Sequence, residues 1–245
     1  MVTDKSTPPN SKSSGDSPRR GRGRPAGRTA QGEEMRRKLY AVAVESMAEK
    51  GFEATTLRHI AERAGVSHAL LYRYFPDKQS IIQALYGELS KDLVEIARPR
   101  RGRWRTRVMA TLKSSLEVLT PHRRSLGELT GLFVSNGRDG LFSNRTAISR
   151  ERVQDLFIES ICGATDAPKE SLGRALGRLF YLLHLGFILL WLLDRSPGTR
   201  ATHGLIELLG KALPLLSPLL KLPGVPRLLK RADTLLLEAL VPAPE

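Results

Sequence analysis

From about residue 33 onward, apolar positions recur at intervals of three and four, the period of an α-helix, and the pattern predicts an all-α chain. A first helix is predicted over 33–50, with Leu39, Tyr40, Val42, Ala43, Ser46 and Met47 on its inner face and Gly51-Phe52 at its end. Leu57, Ile60, Ala61 and Ala64 then form one apolar stripe behind Thr56, whose side-chain oxygen suits an N-cap. Gly65 supplies the left-handed residue that ends this short helix, and Ser67 caps the next. The third helix carries Leu70, Leu71 and Tyr74 before Phe75, and Pro76 stops it. Two short helices joined by a Gly-containing turn of about three residues make a helix-turn-helix unit, whose second helix can lie in a DNA major groove.

A fourth helix is expected over 77–98, ended by Pro99. Further helices follow over 103–119, 122–134, 146–162, 169–194, 202–222 and 226–241, with a turn-rich loop at 136–140. The 169–194 helix is apolar nearly all round, so both of its faces must be covered. Gly173 and Gly177 are spaced on it for close approach to another helix, and Pro214 and Pro218 should bend the 202–222 helix. The last helix is amphipathic, with Arg227, Lys230 and Arg231 on its polar side. Phe180, His184, Phe187 and Trp191 share one helical stripe, and Phe157 can join them from a neighbouring helix. That group is either plain core or the lining of a pocket, with His184 a polar handle or a core imidazole bonded to a carbonyl. A mostly apolar lining suits a small hydrophobic or amphipathic effector.

The residues Thr55-Thr56, Ile60-Ala61, Ala64-Gly65-Val66-Ser67, Leu71-Tyr72, Phe75 and Lys78 resemble, in type and spacing, the DNA-binding domain of the TetR family of repressors. The resemblance runs over about 34–89; beyond it only size and helical character agree. It implies an N-terminal three-helix helix-turn-helix domain over 33–92 and a larger helical effector-binding and dimerisation domain over 93–245. It also implies a homodimer that leaves a palindromic double-stranded operator when a small ligand enters the second domain. Thr56, Ser67, Tyr72, Tyr74 and Lys78 match positions that contact phosphates in the family. His68, Ala69 and Arg73 would then face base edges, where Arg73 can take guanine bidentately and Ala69 can rest on a thymine methyl. Many members carry Gly where this chain has Ala69. The 169–194 and 202–222 helices are expected to meet their copies as a four-helix dimer interface.

Charge changes the picture at the N-terminus. The formal net charge is +14, to which residues 1–32 contribute seven Lys/Arg and two Asp, while residues 33–92 balance nine basic against nine acidic groups. The DNA-reading domain is therefore not itself basic, and part of any phosphate affinity must come from the arm. Residues 1–32 are rich in Ser, Pro, Gly and charge, with almost nothing to bury, so a disordered basic arm is expected. Its Arg22-Gly23-Arg24-Pro25 core resembles an AT-hook, whose arginines enter a narrow minor groove. The alternative is a solvated tail that touches phosphates without preference. A run of arginines over 98–107 is either a solvated surface or a patch for an acidic effector.

Other functions find little support. No nucleophile elbow, metalloprotease helix, P-loop or dinucleotide fingerprint occurs, so no enzyme and no cofactor is expected. His59 and His68 have no Cys or His partner at ligand spacing, which argues against a metal. One cysteine, Cys162, excludes an intramolecular disulfide and fits a reduced cytoplasmic, nucleoid-associated setting. The N-terminus has no apolar signal-peptide core. The uncharged run over 179–193 is short of the roughly 20 residues of a membrane span and is closely flanked by charge, which points to a buried helix and no membrane. Two further readings stay open: an architectural protein that prefers A·T-rich DNA, and an activator without a ligand.

Overall fold

A computed structural model describes residue 1 and residues 30–98, 101–131 and 140–240, and among these no strand occurs. The helices are α1 (Ala30–Lys50), α2 (Leu57–Ala64), α3 (His68–Tyr74), α4 (Lys78–Ile96), α5 (Trp104–Leu119), α6 (Arg123–Glu128), α7 (Ala147–Cys162), α8 (Glu170–Leu193), α9 (Arg200–Leu216) and α10 (Val225–Leu240). α1 starts three residues earlier than its apolar pattern, within the stretch expected to be a disordered arm. The remainder of that arm, with Arg22 and Arg24, lies outside the described residues, as does the loop predicted at 136–140 except for Gly140.

One core begins where α1 to α4 meet. Leu39, Ala43 and Met47 of α1 pack with Ile60 and Ala61 of α2, Leu71 of α3, Phe75, and Ile81 and Leu85 of α4. The same apolar cluster continues through Leu112 and Leu116 of α5 and Leu126 of α6 to Trp191 and Ile206. Apolar contact therefore runs unbroken from the helix-turn-helix into the rest of the molecule. A second cluster joins Trp104 and Val108 to Phe157, Ile161, Leu176, Tyr181 and Leu213.

α7 is the centre of the second half, packed against α4, α5 and α8. Gly177 explains how close α8 comes: a Cβ there would lie 2.6 Å from the Cα of Ile158. One at Gly173 would lie 2.8 Å from Cys162 Sγ. Both glycines thus serve the close approach expected of them. Thr111 and Ser160 join α5 to α7 through a 2.9 Å hydroxyl contact. The arginine run is partly consumed by the fold. Arg107 is buried and donates to the Glu159 and Gly163 carbonyls, while Arg105 reaches Ser217 Oγ at 2.8 Å and pairs with Asp166 at 3.7 Å.

The turn from α8 to α9 is organised by Asp194. Its carboxylate accepts from Ser196 N, Thr202 N and Thr202 Oγ1 at 2.7–2.9 Å, and these bonds hold its pKa far below the usual carboxylate range. α9 contains Pro214 and ends at Leu216, and Ser217–Lys221 tighten into a 3-10 turn. The single helix expected over 202–222 is thereby corrected. Pro218 lacks an amide hydrogen, so it cannot extend the α-helical ladder.

α8 is not covered on both faces within one chain. Its inner face packs on α7 and α10, yet Leu183, Leu189, Leu190 and Leu193 remain exposed. On α9, Leu205, Leu208, Leu215 and Leu216 are exposed too, with Leu208 at 60%. By length and composition α8 alone, among the described residues, could cross a membrane.

Candidate nucleic-acid interface

The helix-turn-helix is held by caps that are local in sequence. Thr56 Oγ1 accepts from His59 N at 3.1 Å and starts α2. Gly65 ends it with φ 68° and ψ 35°, a left-handed conformation that costs a residue with a Cβ but not glycine. Ser67 Oγ accepts from Leu70 N at 3.2 Å and starts α3, and Asp77 Oδ1 accepts from Ser80 N at 2.6 Å and starts α4. The turn is thus fixed by hydrogen bonds within a few residues of each cap.

α3 is amphipathic in consequence. Leu71 and Phe75 are fully buried, while His68, Ala69, Tyr72 and Arg73 stand exposed on one face. The His68 and Tyr72 rings meet edge to face, centroids 5.8 Å apart. Arg73 makes no ion pair among the described residues. By contrast, Arg63 is tied to Glu45 and Glu49, and Arg58 to Glu62. The guanidinium hydrogen-bonded to Glu49 holds that carboxyl below its ordinary pKa. Local acids thus quench the cations of α2, while the cation of α3 stays available. Thr56 and Ser67 are exposed at the N-termini of α2 and α3. Tyr74 is only half-exposed, packed at the edge of the first core.

Lys78 is engaged within the protein. Its Nζ donates to the carbonyls of Phe52 at 2.7 Å and Glu53 at 3.3 Å and sits 4.3 Å from the Phe52 ring centroid. Two of its three donors therefore brace the start of α4 against the α1–α2 loop.

A cavity of about 790 Å³ opens behind this domain, between α4, α5, α7, α8, α10 and the segment 141–146. Tyr86, Leu89, Ser90 and Leu93 of α4 form one wall, so a single helix carries both the core of the helix-turn-helix half and the side of the cavity. His184 also lines it and is 3% exposed. Its Nδ1 has no hydrogen-bond partner among the described residues, and burial pushes the imidazole pKa down to about 3, so the ring is neutral. Of the five residues expected around a pocket, only His184 lines this cavity. Phe157 and Phe180 pack in the second cluster, and Phe187 and Trp191 belong to the first. The stripe winds across two cores because α8 crosses both, and a shared face on one helix does not fix a shared neighbour.

Arg150 and Ser115 also line the cavity and went unmarked in the sequence. Arg150 had a signal. It lies at i, with Val153, Phe157 and Ile161 at i+3, i+7 and i+11, so a charge sits on the buried stripe of α7. Among the described residues, no cluster of His, Cys, Asp and Glu could hold a metal ion.

Comparison with known proteins agrees with this geometry. Residues 39–85 match the profile of the bacterial regulatory proteins of the tetR family. The uncharacterized HTH-type transcriptional regulator YvkB of Bacillus subtilis is 33% identical over 66 residues, covering 27% of this chain and 35% of that protein. The HTH-type transcriptional repressor Rv3405c of Mycobacterium tuberculosis is 32% identical over 83 residues, covering 29% of this chain and 44% of the relative. The chain thus spans less than half the length of these curated relatives. A tetR-family transcriptional regulator from Streptomyces coelicolor superposes with a TM-score of 0.59 at 21% identity, covering 83% of this chain and 89% of that one, a likeness of fold. The match over 39–85 falls on the capped α2–turn–α3 unit and the helices that hold it, and it identifies that part of the chain as similar to the DNA-binding domain of the tetR family of bacterial regulatory proteins.

Proposed function

We propose that the protein is a sequence-specific DNA-binding transcriptional regulator, a homodimeric repressor that a small hydrophobic or amphipathic effector releases from a palindromic operator. The observation that carries this reading is the double duty of α4. Its Ile81 and Leu85 pack in the core beneath α3, and its Tyr86, Leu89 and Leu93 wall the 790 Å³ cavity. A ligand that fills the cavity must displace or fix α4, and α4 carries the recognition helix with it. Whichever state the ligand binds more tightly becomes the populated one.

In this reading His68, Ala69 and Arg73 meet base edges, and Thr56, Ser67 and Tyr72 meet phosphates. Tyr74 reaches a phosphate from its half-buried place. Lys78 has one ammonium proton left for one, after bracing the α1–α2 loop. The exposed leucines of α8 and α9 close against a second copy as a four-helix interface, which sets the spacing of the two recognition helices. The arm, with Arg22 and Arg24, adds phosphate affinity or enters an adjacent minor groove. The protein works without catalysis, in the cytoplasm on nucleoid DNA.

Selection of bound sequences from a random duplex pool, at near-physiological salt, tests the reading. The expected result is an inverted repeat whose half-sites are spaced for two recognition helices about one turn apart. Simple A·T enrichment without a repeat would instead favour an architectural protein led by its arm.

A further inference from the structure

Resting on the ligand-responsive reading above, we infer that the effector is an amphipathic anion, its carboxylate or equivalent acidic head held by Arg150 and its apolar body lying in the rest of the cavity. Arg150 is 9% exposed and lines the cavity from the first turn of α7. One arm of its guanidinium is occupied: Nη1 donates to the carbonyls of Leu141 at 3.3 Å and Ser143 at 3.1 Å. The guanidinium carbon lies over the Phe142 ring, 6.0 Å from its centroid. Nε and Nη2 donate to nothing among the described residues.

No carboxylate among those residues lies within ion-pairing distance of Arg150. Asp233 of α10 shares with Arg150 a second, narrow cleft beside the cavity, but Arg178 already holds it, with Nε 2.8 Å from Oδ1. Glu238 lines the cavity from an exposed position and makes no ion pair with Arg150. A buried guanidinium without a counter-charge is costly, and an anionic ligand removes that cost when it binds. The remaining orphaned polar atoms suit the same guest. Ser115 Oγ and His184 Nδ1 are buried in the cavity wall without partners among the described residues. Leucines and valines make up much of the rest, so a charged head with an apolar body matches the lining better than a wholly polar anion does.

The test compares dodecanoate with dodecanol by titration calorimetry on the full chain, which changes the ligand's charge while keeping its chain length. The expected result is that dodecanoate binds at least about tenfold more tightly, the scale of a hydrogen bond to a charged group. Arg150→Met should abolish that preference while dodecanol still binds. Arg150→Lys, which keeps the charge and loses the fork, should retain part of it. The wild-type comparison needs no variant, so it stands even where Arg150→Met unfolds. Equal binding of acid and alcohol, no binding of either, or a preference that survives in folded Arg150→Met overturns the inference. A parallel DNA-release measurement separates the two readings. Arg150-dependent binding that leaves DNA bound keeps the anion site and sinks the ligand-released regulator. Release by dodecanol at the same concentrations as dodecanoate keeps the regulator and sinks the anion site.

Discussion

Among the described residues, Arg73 and Arg150 are cations that no local acid quenches, one exposed on α3 and the other buried on α7. Arg73→Ala should weaken specific DNA binding by about 1–3 kcal/mol and relax preference at one base position. Competition gel shifts against single-base operator variants measure this, and a uniform loss for all sequences would assign Arg73 to phosphate instead. His184 brings a pH dependence. Its pKa is about 3 in the folded chain against 6.5 when free, so between those values the unfolded chain binds more protons. Stability should therefore fall as pH drops below 6.5, with a slope up to about 1.36 kcal/mol per pH unit, and His184→Leu should lose that contribution. Urea melts at neutral and mildly acidic pH would show it, and an unchanged slope in the variant would point to other groups. The capping roles of Thr56, Gly65 and Ser67 were legible in the sequence because each depends on partners within about four residues. The isolation of Arg150 was not, because it depends on where Asp233, Glu238 and Arg178 fall after α8 and α10 have folded back.

Helices were legible where caps marked their ends, as with α2 and α3, or where the apolar period was strong, as with α7 and α8. α9 was overrun by the pattern, because Leu215, Leu216 and Leu219 keep the period going while the backbone tightens into a 3-10 turn. The pairing of Gly173 and Gly177 with α7 was visible only as an expectation of close contact; the partner helix came from the fold. Gly177→Val should cost about 1–3 kcal/mol, since its branches would meet the Ile158 backbone, which cannot move as a side-chain tip can. A thermal melt that matches wild type would mean the two helices slide apart freely. The leucine faces of α8 and α9 ask for a partner. Leu208→Glu places a charge in the proposed interface and should shift the protein toward monomer in sedimentation, with its helical content kept. A variant that stays dimeric would move the interface elsewhere.

At the scale of the whole molecule, the apolar cluster that runs from Leu39 to Ile206 leaves no soft joint between the DNA-reading half and the cavity. An ion pair at 3.5 Å between Arg145 and Asp77 adds a second link, from the segment beside the cavity to the N-cap of α4. The arm is expected to contribute through its charge. Removing residues 1–29, so that α1 stays whole, should flatten the salt dependence of DNA binding and keep the selected consensus. A changed consensus would put Arg22 and Arg24 in the minor groove. The open leucine faces also bear on inheritance. If two copies must join before either grips an operator, each subunit shares its fate with its partner. A cell that makes the normal chain and an Arg73→Ala chain in equal amounts would then hold only a minority of pairs with two intact reading heads. The defective allele would act as a dominant one, silencing control from beside a healthy copy of the gene.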